Sequence, residues 1–312
     1  MGFRTRVILC LAPVIIVGAV HAQESNPAVE QSRLFPRTLP PNAENITPDG
    51  MAIPPADTPA ATDEDLGAQQ ILKIKGDISD LFVTADASLF FTNNVALTRA
   101  DTVSDGFFVG NAVMNWVPRI NPQLQFQLGG NASLFRYFDT SALDFDNLGV
   151  GTGLTWTPPN AWGLALTGRY DLIELLDRHG SEILQDHEFS LALQKFVSLG
   201  RSHALTFGIL GSAGISDPFA EQRDQAGFIL GYHLQLTRRV SADFGYRHSW
   251  YFYNAGDRHD LNQVLSLGLR YNITRWASLN AFTSWATNYS NVSAFKYDVF
   301  SGGGGVTLTI RF

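Results

Sequence analysis

The chain has one cysteine, Cys10, in 312 residues. It lies inside an N-terminal stretch that reads as a cleavable leader, so the mature chain is expected to have neither disulfides nor thiolate metal ligands. Charge is also scarce. Asp, Glu, Lys and Arg make up 16% of the residues, against roughly 25% in soluble domains, yet the mean hydropathy is only −0.01. No long apolar run is present: the uncharged stretch from Val7 to Val20 is shorter than the ~20 residues of a spanning helix, and no later segment approaches it. A basic face is missing too, since the net charge is −7, which excludes nucleic acid as a partner.

What is present begins with an address. Arg4 and Arg6 precede the apolar stretch, and Val20, His21 and Ala22 form a small-residue cleavage site. Residues 1–22 are expected to be a signal peptide and Gln23 the mature N-terminus. From Gln23 to Gln70 the chain holds eight of its fourteen prolines, Phe35 as its one aromatic residue, and eight acids against Arg33 and Arg37. Such a segment buries too little apolar area to offset its conformational entropy. Residues 23–76 therefore read as a disordered, Pro-rich periplasmic linker. A short helix is possible over 62–75, capped by Thr62, with Asp63, Glu64 and Asp65 at its positive end.

Residues 77–312 change character. At the C-terminus Val306, Leu308, Ile310 and Phe312 alternate with Thr307, Thr309 and Arg311, the period of a strand with one face in an apolar medium and one in water. Read through the domain, this period gives about twelve strands, near 80–92, 106–117, 123–137, 148–156, 162–173, 187–196, 203–215, 226–237, 240–252, 261–272, 276–289 and 299–312. The expected fold is all-β: an antiparallel up-and-down transmembrane barrel. The terminal run resembles the C-terminal strand signature of Gram-negative outer-membrane β-barrel proteins. That resemblance implies that the barrel assembly machinery reads Val306, Leu308, Ile310 and Phe312. Over residues 80–312 the chain is similar to the porin-like barrels as a class, and Thr92 to Val95 with Ser104 and Asp105 resemble the first hairpin of uncharacterised families within it.

Connections alternate in length. Short turns contain Arg119, Arg201, Arg238, Arg239 and Arg275, while longer loops hold Asp101, Asp144, Asp146, Asp177, Glu182, Asp217, Glu221, Asp257 and Asp260. Short and long loops belong to opposite membrane sides, so the long, acidic ones are expected to face outward. Lipid-facing parity falls to Leu164, Leu166, Tyr170 and Leu172; to Phe228, Leu230, Tyr232, Leu234 and Leu236; and to Phe244, Tyr246, Trp250 and Phe252. Leu166 and Leu234 are expected near mid-membrane. Trp116, Trp156, Trp162 and Trp276 would form the periplasmic girdle, and His248 would snorkel from the lipid face.

The opposite parity gives the lumen: Asp86, Asn111, Gln125, Gln127, Asn131, Arg169, Asp171, Glu188, Gln194, His233, Asp243, Arg247, Arg270 and Arg311. Four acids balance four arginines. Asp243 with Arg247 and Arg169 with Asp171 are expected to pair within their strands, either filling the bore or forming an ionic constriction. Gly149, Gly151 and Gly153 alternate on one strand and precede no helix, so they read as lumen-facing gaps and as docking space for the 62–75 helix rather than as a nucleotide loop. Gly302 to Gly305 read as a close-packing site in the last strand.

Catalysis is disfavoured. The enzymatic barrels use a serine beside a histidine, typically His-x-Ser; here His248 and Ser249 are adjacent and point to opposite faces. His179, His187 and His259 read as solvated loop residues rather than metal ligands, and no cofactor is expected. The expectation is a non-enzymatic outer-membrane porin or channel for passive diffusion of small polar solutes. Its expected partners are outer-membrane lipid and lipopolysaccharide, the assembly machinery, and a small polar solute. The alternative is a closed structural or surface-interaction barrel that works through its acidic outer loops.

Overall fold

The computed structural model describes residues 26–34, 80–159, 161, 163–200 and 202–312. The strands are β1 (Leu81–Thr92), β2 (Asp105–Trp116), β3 (Arg119–Asn121), β4 (Leu124–Tyr137), β5 (Phe145–Trp156), β6 (Leu164–Asp177), β7 (Glu182–Ser198), β8 (His203–Asp217), β9 (Arg223–Gln235), β10 (Val240–Tyr253), β11 (His259–Asn272), β12 (Ala277–Ser290) and β13 (Tyr297–Arg311). β3 is a three-residue piece of the turn between β2 and β4. The other twelve form a closed antiparallel barrel, because β2 pairs with β4 and β1 pairs with β13. Closure leaves no edge, as a sheet in lipid requires.

Each strand follows from its alternation. In β5, Phe145, Asn147, Gly149, Gly151, Gly153 and Thr155 are buried, whereas Leu148, Val150, Leu154 and Trp156 are exposed. Cross-strand register carries this parity around the barrel. The outer surface is a belt of exposed apolar side chains that includes Leu89, Met114, Leu128, Leu191, Ile209, Leu230, Leu265, Trp285 and Ile310. Water-exposed surfaces rarely carry contiguous apolar patches beyond a few hundred Å², so this belt needs lipid. Among the described residues no helix is long and apolar enough to cross a membrane; the strands are the spanning elements.

The closing seam needs glycine. β1 and β13 pair from Phe82↔Arg311 to Thr92↔Ser301. A Cβ at Gly303 would strike the Leu89 carbonyl and Phe90, and one at Gly305 the Ala87 carbonyl and Ser88. The backbone approaches here are too close for any side chain.

Several expectations change. The strands run further at the long-loop end than alternation indicated, β7 from Glu182 and β6 to Asp177. That growth puts Leu166 and Leu234 near the short-turn ends of β6 and β9 rather than at mid-barrel. His187 sits within β7, not in a loop. Trp116, Trp156 and Trp276 are exposed at the short-turn end. Trp162 and Arg201, like the leader and the 62–75 segment, lie outside the described residues.

The largest difference is inside the barrel. Eight residues read as linker form a helix, α1 (Pro27–Leu34). Asn26 caps it, its Oδ1 accepting from the Ala28 N–H at 3.0 Å, and Pro27 occupies the first position, where its missing N–H costs nothing. A segment poor in apolar residues folds here because the barrel supplies the cover that it cannot provide for itself.

Candidate functional site

The lumen divides along its length. At the short-turn half it is polar and open. Arg270 Nε donates to Asn280 Oδ1 at 3.2 Å, Asn280 Nδ2 to Thr307 Oγ1 at 2.6 Å, and Thr307 Oγ1 to Asp86 Oδ2 at 2.9 Å. This chain crosses four strands, β11 to β13 and then β1, and it fixes two opposite charges on the wall. His233 Nδ1 lies 2.6 Å from Asp243 Oδ1, with their side chains 41% and 48% exposed. Arg311 ends β13 with its guanidinium 5.6 Å from the Phe82 ring centroid.

Arg169 and Asp171 face the bore from β6 as a forked pair, Nε to Oδ2 at 2.7 Å and Nη2 to Oδ1 at 2.6 Å. They pair in register with Gly153 and Gly151, and a Cβ at Gly151 would run into both charged groups. The glycine gaps of β5 are therefore filled by side chains of neighbouring strands, Asn131 at Gly149 among them, and not by a helix. Glu188 is in register with Asp171. The expected Asp243–Arg247 pair does not form: Asp243 turns to His233 and Arg247 Nη2 donates to the Arg33 carbonyl at 3.3 Å. Residues four apart on a strand are separated by about 13 Å of backbone, whereas two apart leaves about 7 Å, which Arg169 and Asp171 can bridge. The candidate lumen residues thus share the inner face but are spread along it.

At the long-loop half the lumen is closed. Phe107, Phe145, Leu175 and Leu184 are 0% exposed although they point inward. Phe135 and Phe145 stack with centroids 4.3 Å apart, and Phe90 stacks on Phe107 at 5.5 Å. Ala28 and Val29 of α1 pack into this apolar wall, while Leu34 packs against a second cluster with Val264, Ala286 and Tyr297.

The polar side of α1 is held by charge. Arg33 Nη1 donates to Glu221 Oε2 at 3.0 Å and Nη2 to the Glu221 carbonyl at 3.1 Å. Glu30 Oε1 accepts from the Tyr253 hydroxyl at 3.1 Å and from Arg258 Nη2 at 3.3 Å. Gln31 Nε2 donates to the Val95 carbonyl at 3.0 Å. Burial alone would push the Glu30 carboxyl up, but Arg33, then Arg258 and Arg223, and the Tyr253 hydrogen bond bring it down to about 2. Glu221 and Asp260, expected in solvated outer loops, are turned inward and buried for the same reason.

None of Glu30, Gln31, Arg33, Glu221, Arg223, Tyr253 or Arg258 was a sequence candidate for the bore. The available signal was Asn26–Pro27 followed by Glu30 and Arg33 three apart, a capped helical turn with an internal ion pair. On the outer face each of three imidazoles meets a tyrosine hydroxyl: His187 with Tyr170 at 2.8 Å, His203 with Tyr232 at 2.5 Å, and His248 with Tyr246 at 3.2 Å. His248 stacks on Phe228 at 4.9 Å, while Ser249 points into the lumen and accepts from Gln225 Nε2 at 3.1 Å. The sheet separates the two.

No protein-family profile and no curated protein matches the chain. Solved structures do. The COG4313 outer membrane channel from Pseudomonas putida F1 superposes with a TM-score of 0.53 at 14% identity, over 75% of this chain and 98% of that one. The KdgM porin in complex with disordered oligogalacturonate gives 0.42 at 6% identity over 72% and 98%, and the anion-selective porin from Comamonas acidovorans gives 0.41 at 9% over 74% and 98%. With its closed twelve-stranded sheet, apolar outer belt and polar inner face, the chain has the fold of a porin-like outer-membrane β-barrel.

Proposed function

We propose that the mature chain, beginning at Gln23, is an outer-membrane channel for passive diffusion of small polar solutes, and that α1 is a plug at its outward mouth. The observation that carries this is the contrast within one bore: a charged, half-exposed short-turn half under a long-loop half that, among the described residues, α1 and its apolar seat fill. A barrel filled for structural reasons alone would not need a removable element from outside the sheet to finish its packing. The long, acidic loops face outward in this reading, and lipid and lipopolysaccharide surround the belt. The assembly machinery reads the terminal strand through Val306, Leu308, Ile310 and Phe312. Asp86, Arg169, Asp171, Glu188, His233, Asp243, Arg247, Arg270 and Arg311 line the solute path.

The closed interaction barrel has α1 in its favour, since the mouth is sealed as described. Single-channel recording separates the two readings. Purified 23–312 should give small or infrequent steps, and a variant lacking 23–34 should give steps several-fold larger. The deletion variant should also admit small sugars in a liposome-swelling assay. If the deletion variant is as silent as the full chain, the channel reading fails and the closed barrel stands.

A further inference from the structure

The Glu30 carboxylate and the Arg33 guanidinium of α1 lie 3.4 Å apart, and each has its own receptor in the barrel wall. For the carboxylate the receptor is Arg258 and the Tyr253 hydroxyl, backed by Arg223, which donates to the same hydroxyl at 3.4 Å and lies 3.7 Å from the Tyr251 ring centroid. For the guanidinium it is a fork made by the Glu221 carboxylate and the Glu221 carbonyl.

Both receptors are built without the helix. Arg258 is clamped by Asp260, Nε to Oδ2 at 3.0 Å and Nη2 to Oδ2 at 2.5 Å, and sandwiched between Tyr253 at 3.9 Å and Phe295 at 3.5 Å. Glu221 closes a tight turn, its N–H donating to the Pro218 carbonyl at 3.0 Å. The helix is also an imperfect occupant, because Arg33 Nε is buried without a partner among the described residues.

Charge decides what else could sit there. With α1 gone, the site offers Arg223, Arg247 and Arg258 against Glu221 and Asp260, and Asp260 is already engaged by Arg258. A simple anion would leave the buried Glu221 unpaired, and a simple cation would face three arginines; each is costly in a site of low dielectric. A molecule carrying a carboxylate and a guanidinium a few ångströms apart satisfies both.

We infer that this outward vestibule is a binding site for a small guanidino acid, one carboxylate and one guanidinium on a short chain with no α-ammonium, such as 3-guanidinopropionate, and that Glu30 and Arg33 occupy it as an internal surrogate which the solute displaces. The inference rests on the channel reading only for its consequence, opening. Exchange replaces like hydrogen bonds with like, so occupancy is set by mass action, and the solute's apparent affinity for the full chain is lowered by the fraction of sites the helix fills.

Titration calorimetry with 3-guanidinopropionate on the purified variant lacking 23–34 tests the site directly. Binding should be measurable there, about tenfold weaker in 23–312, and about tenfold weaker than in the deletion variant when Glu221→Gln or Arg258→Gln is added to that variant, where no helix competes. Sodium acetate, guanidinium chloride and L-arginine, whose α-ammonium would face the three arginines, should each bind more weakly. No binding to the deletion variant, or equal affinity in it and in both of its substituted forms, overturns the site. In bilayers, 3-guanidinopropionate should shift 23–312 towards the large conductance of the deletion variant. A deletion variant that binds it but never conducts leaves the site standing and removes the channel.

Discussion

Arg33 and Glu221 stand 188 positions apart in the chain and 3.0 Å apart in space. Their side chains are 3% and 8% exposed, so the pair is out of water and joins a segment before the barrel to the rim between β8 and β9. Buried pairs of this kind are poor sources of net stability but punish the loss of one partner, because the survivor is left charged and unpaired. Specific docking follows: α1 fits where Glu221 and Arg258 both find their opposites. Val29, at 0% exposure in the Phe107–Phe145 wall, adds apolar attraction that does not depend on which charge meets which.

Val29→Ala should loosen the plug without changing its orientation. Removing two methyl groups from a buried site costs about 1.5 kcal/mol, which is about a tenfold rise in the open fraction. Arg33→Ala should open the channel at least as far, since it strands Glu221. The double variant Arg33→Ala with Glu221→Ala should then recover part of that loss. Open probability in bilayers measures all three together with Glu221→Ala alone, and strict additivity of the two charge changes would show that the pair does not couple.

The Glu30 carboxyl, held down to about 2, makes the plug insensitive to mild acid. A depressed carboxyl contributes stability that is fully present above its ordinary range near pH 4 to 5 and is lost as the pH falls through its lowered value. The groups facing it are Arg33, Arg258, Arg223 and Tyr253. The conductance of 23–312 should therefore hold from pH 7 down to about 4 and rise only towards 2. Glu30→Gln should be more open at pH 7 and lack that contribution to the acid response. A parent channel that opens fully by pH 5 would contradict this anchoring.

Most of the barrel was readable because period two is imposed locally. A residue's parity decides its face, and Asp86, Arg169, Asp171, His233, Asp243 and Arg270 all turn inward as alternation requires. Two kinds of information were not local. Strand ends at the long-loop side lose the apolar-out, polar-in pattern, because Ile173, Leu175 and Leu184 are buried inward while Glu174 takes an outer position, so that alternation ends before the hydrogen bonds do. The helix α1 was missed because its stability lies elsewhere in the chain: Ala28 and Val29 are too few to form a core, and in the wall that covers them Phe107 and Phe135 read only as strand and Phe145 as loop. Likewise Arg223, Tyr253 and Arg258 read as loop residues until Glu30 was set among them.

Face assignment is testable on a single strand. Leu191 of β7 is 57% exposed on the outer belt, whereas Gln194 has lumen parity, in register with Ala165 and Gly208. Arginine at a mid-membrane lipid position costs about 2 to 4 kcal/mol. Leu191→Arg should lower the urea midpoint of the folded barrel in lipid vesicles by a matching amount, while Gln194→Arg should leave it nearly unchanged. Equal sensitivity of the two would mean that the lipid and lumen faces are exchanged or mixed.

The last strand carries the most stringent requirement, because it closes the sheet. Phe312 N donates to the Leu81 carbonyl at 2.9 Å, its ring is 66% exposed at the short-turn rim, and Thr307 and Thr309 point inward to Asp86 and Thr84. Inserting one residue after Val306 would reverse every face beyond it, turning Leu308, Ile310 and Phe312 into the polar bore and the threonines into lipid. Deleting Phe312 removes only its two backbone bonds with Leu81 and the boundary ring. The insertion should abolish heat-modifiable mobility on gels, and the deletion should reduce the folded yield in cells more than refolding in detergent, where no assembly machinery acts. Normal assembly of both variants would mean that closure does not depend on the register of β13 with β1, and would overturn the seam described above.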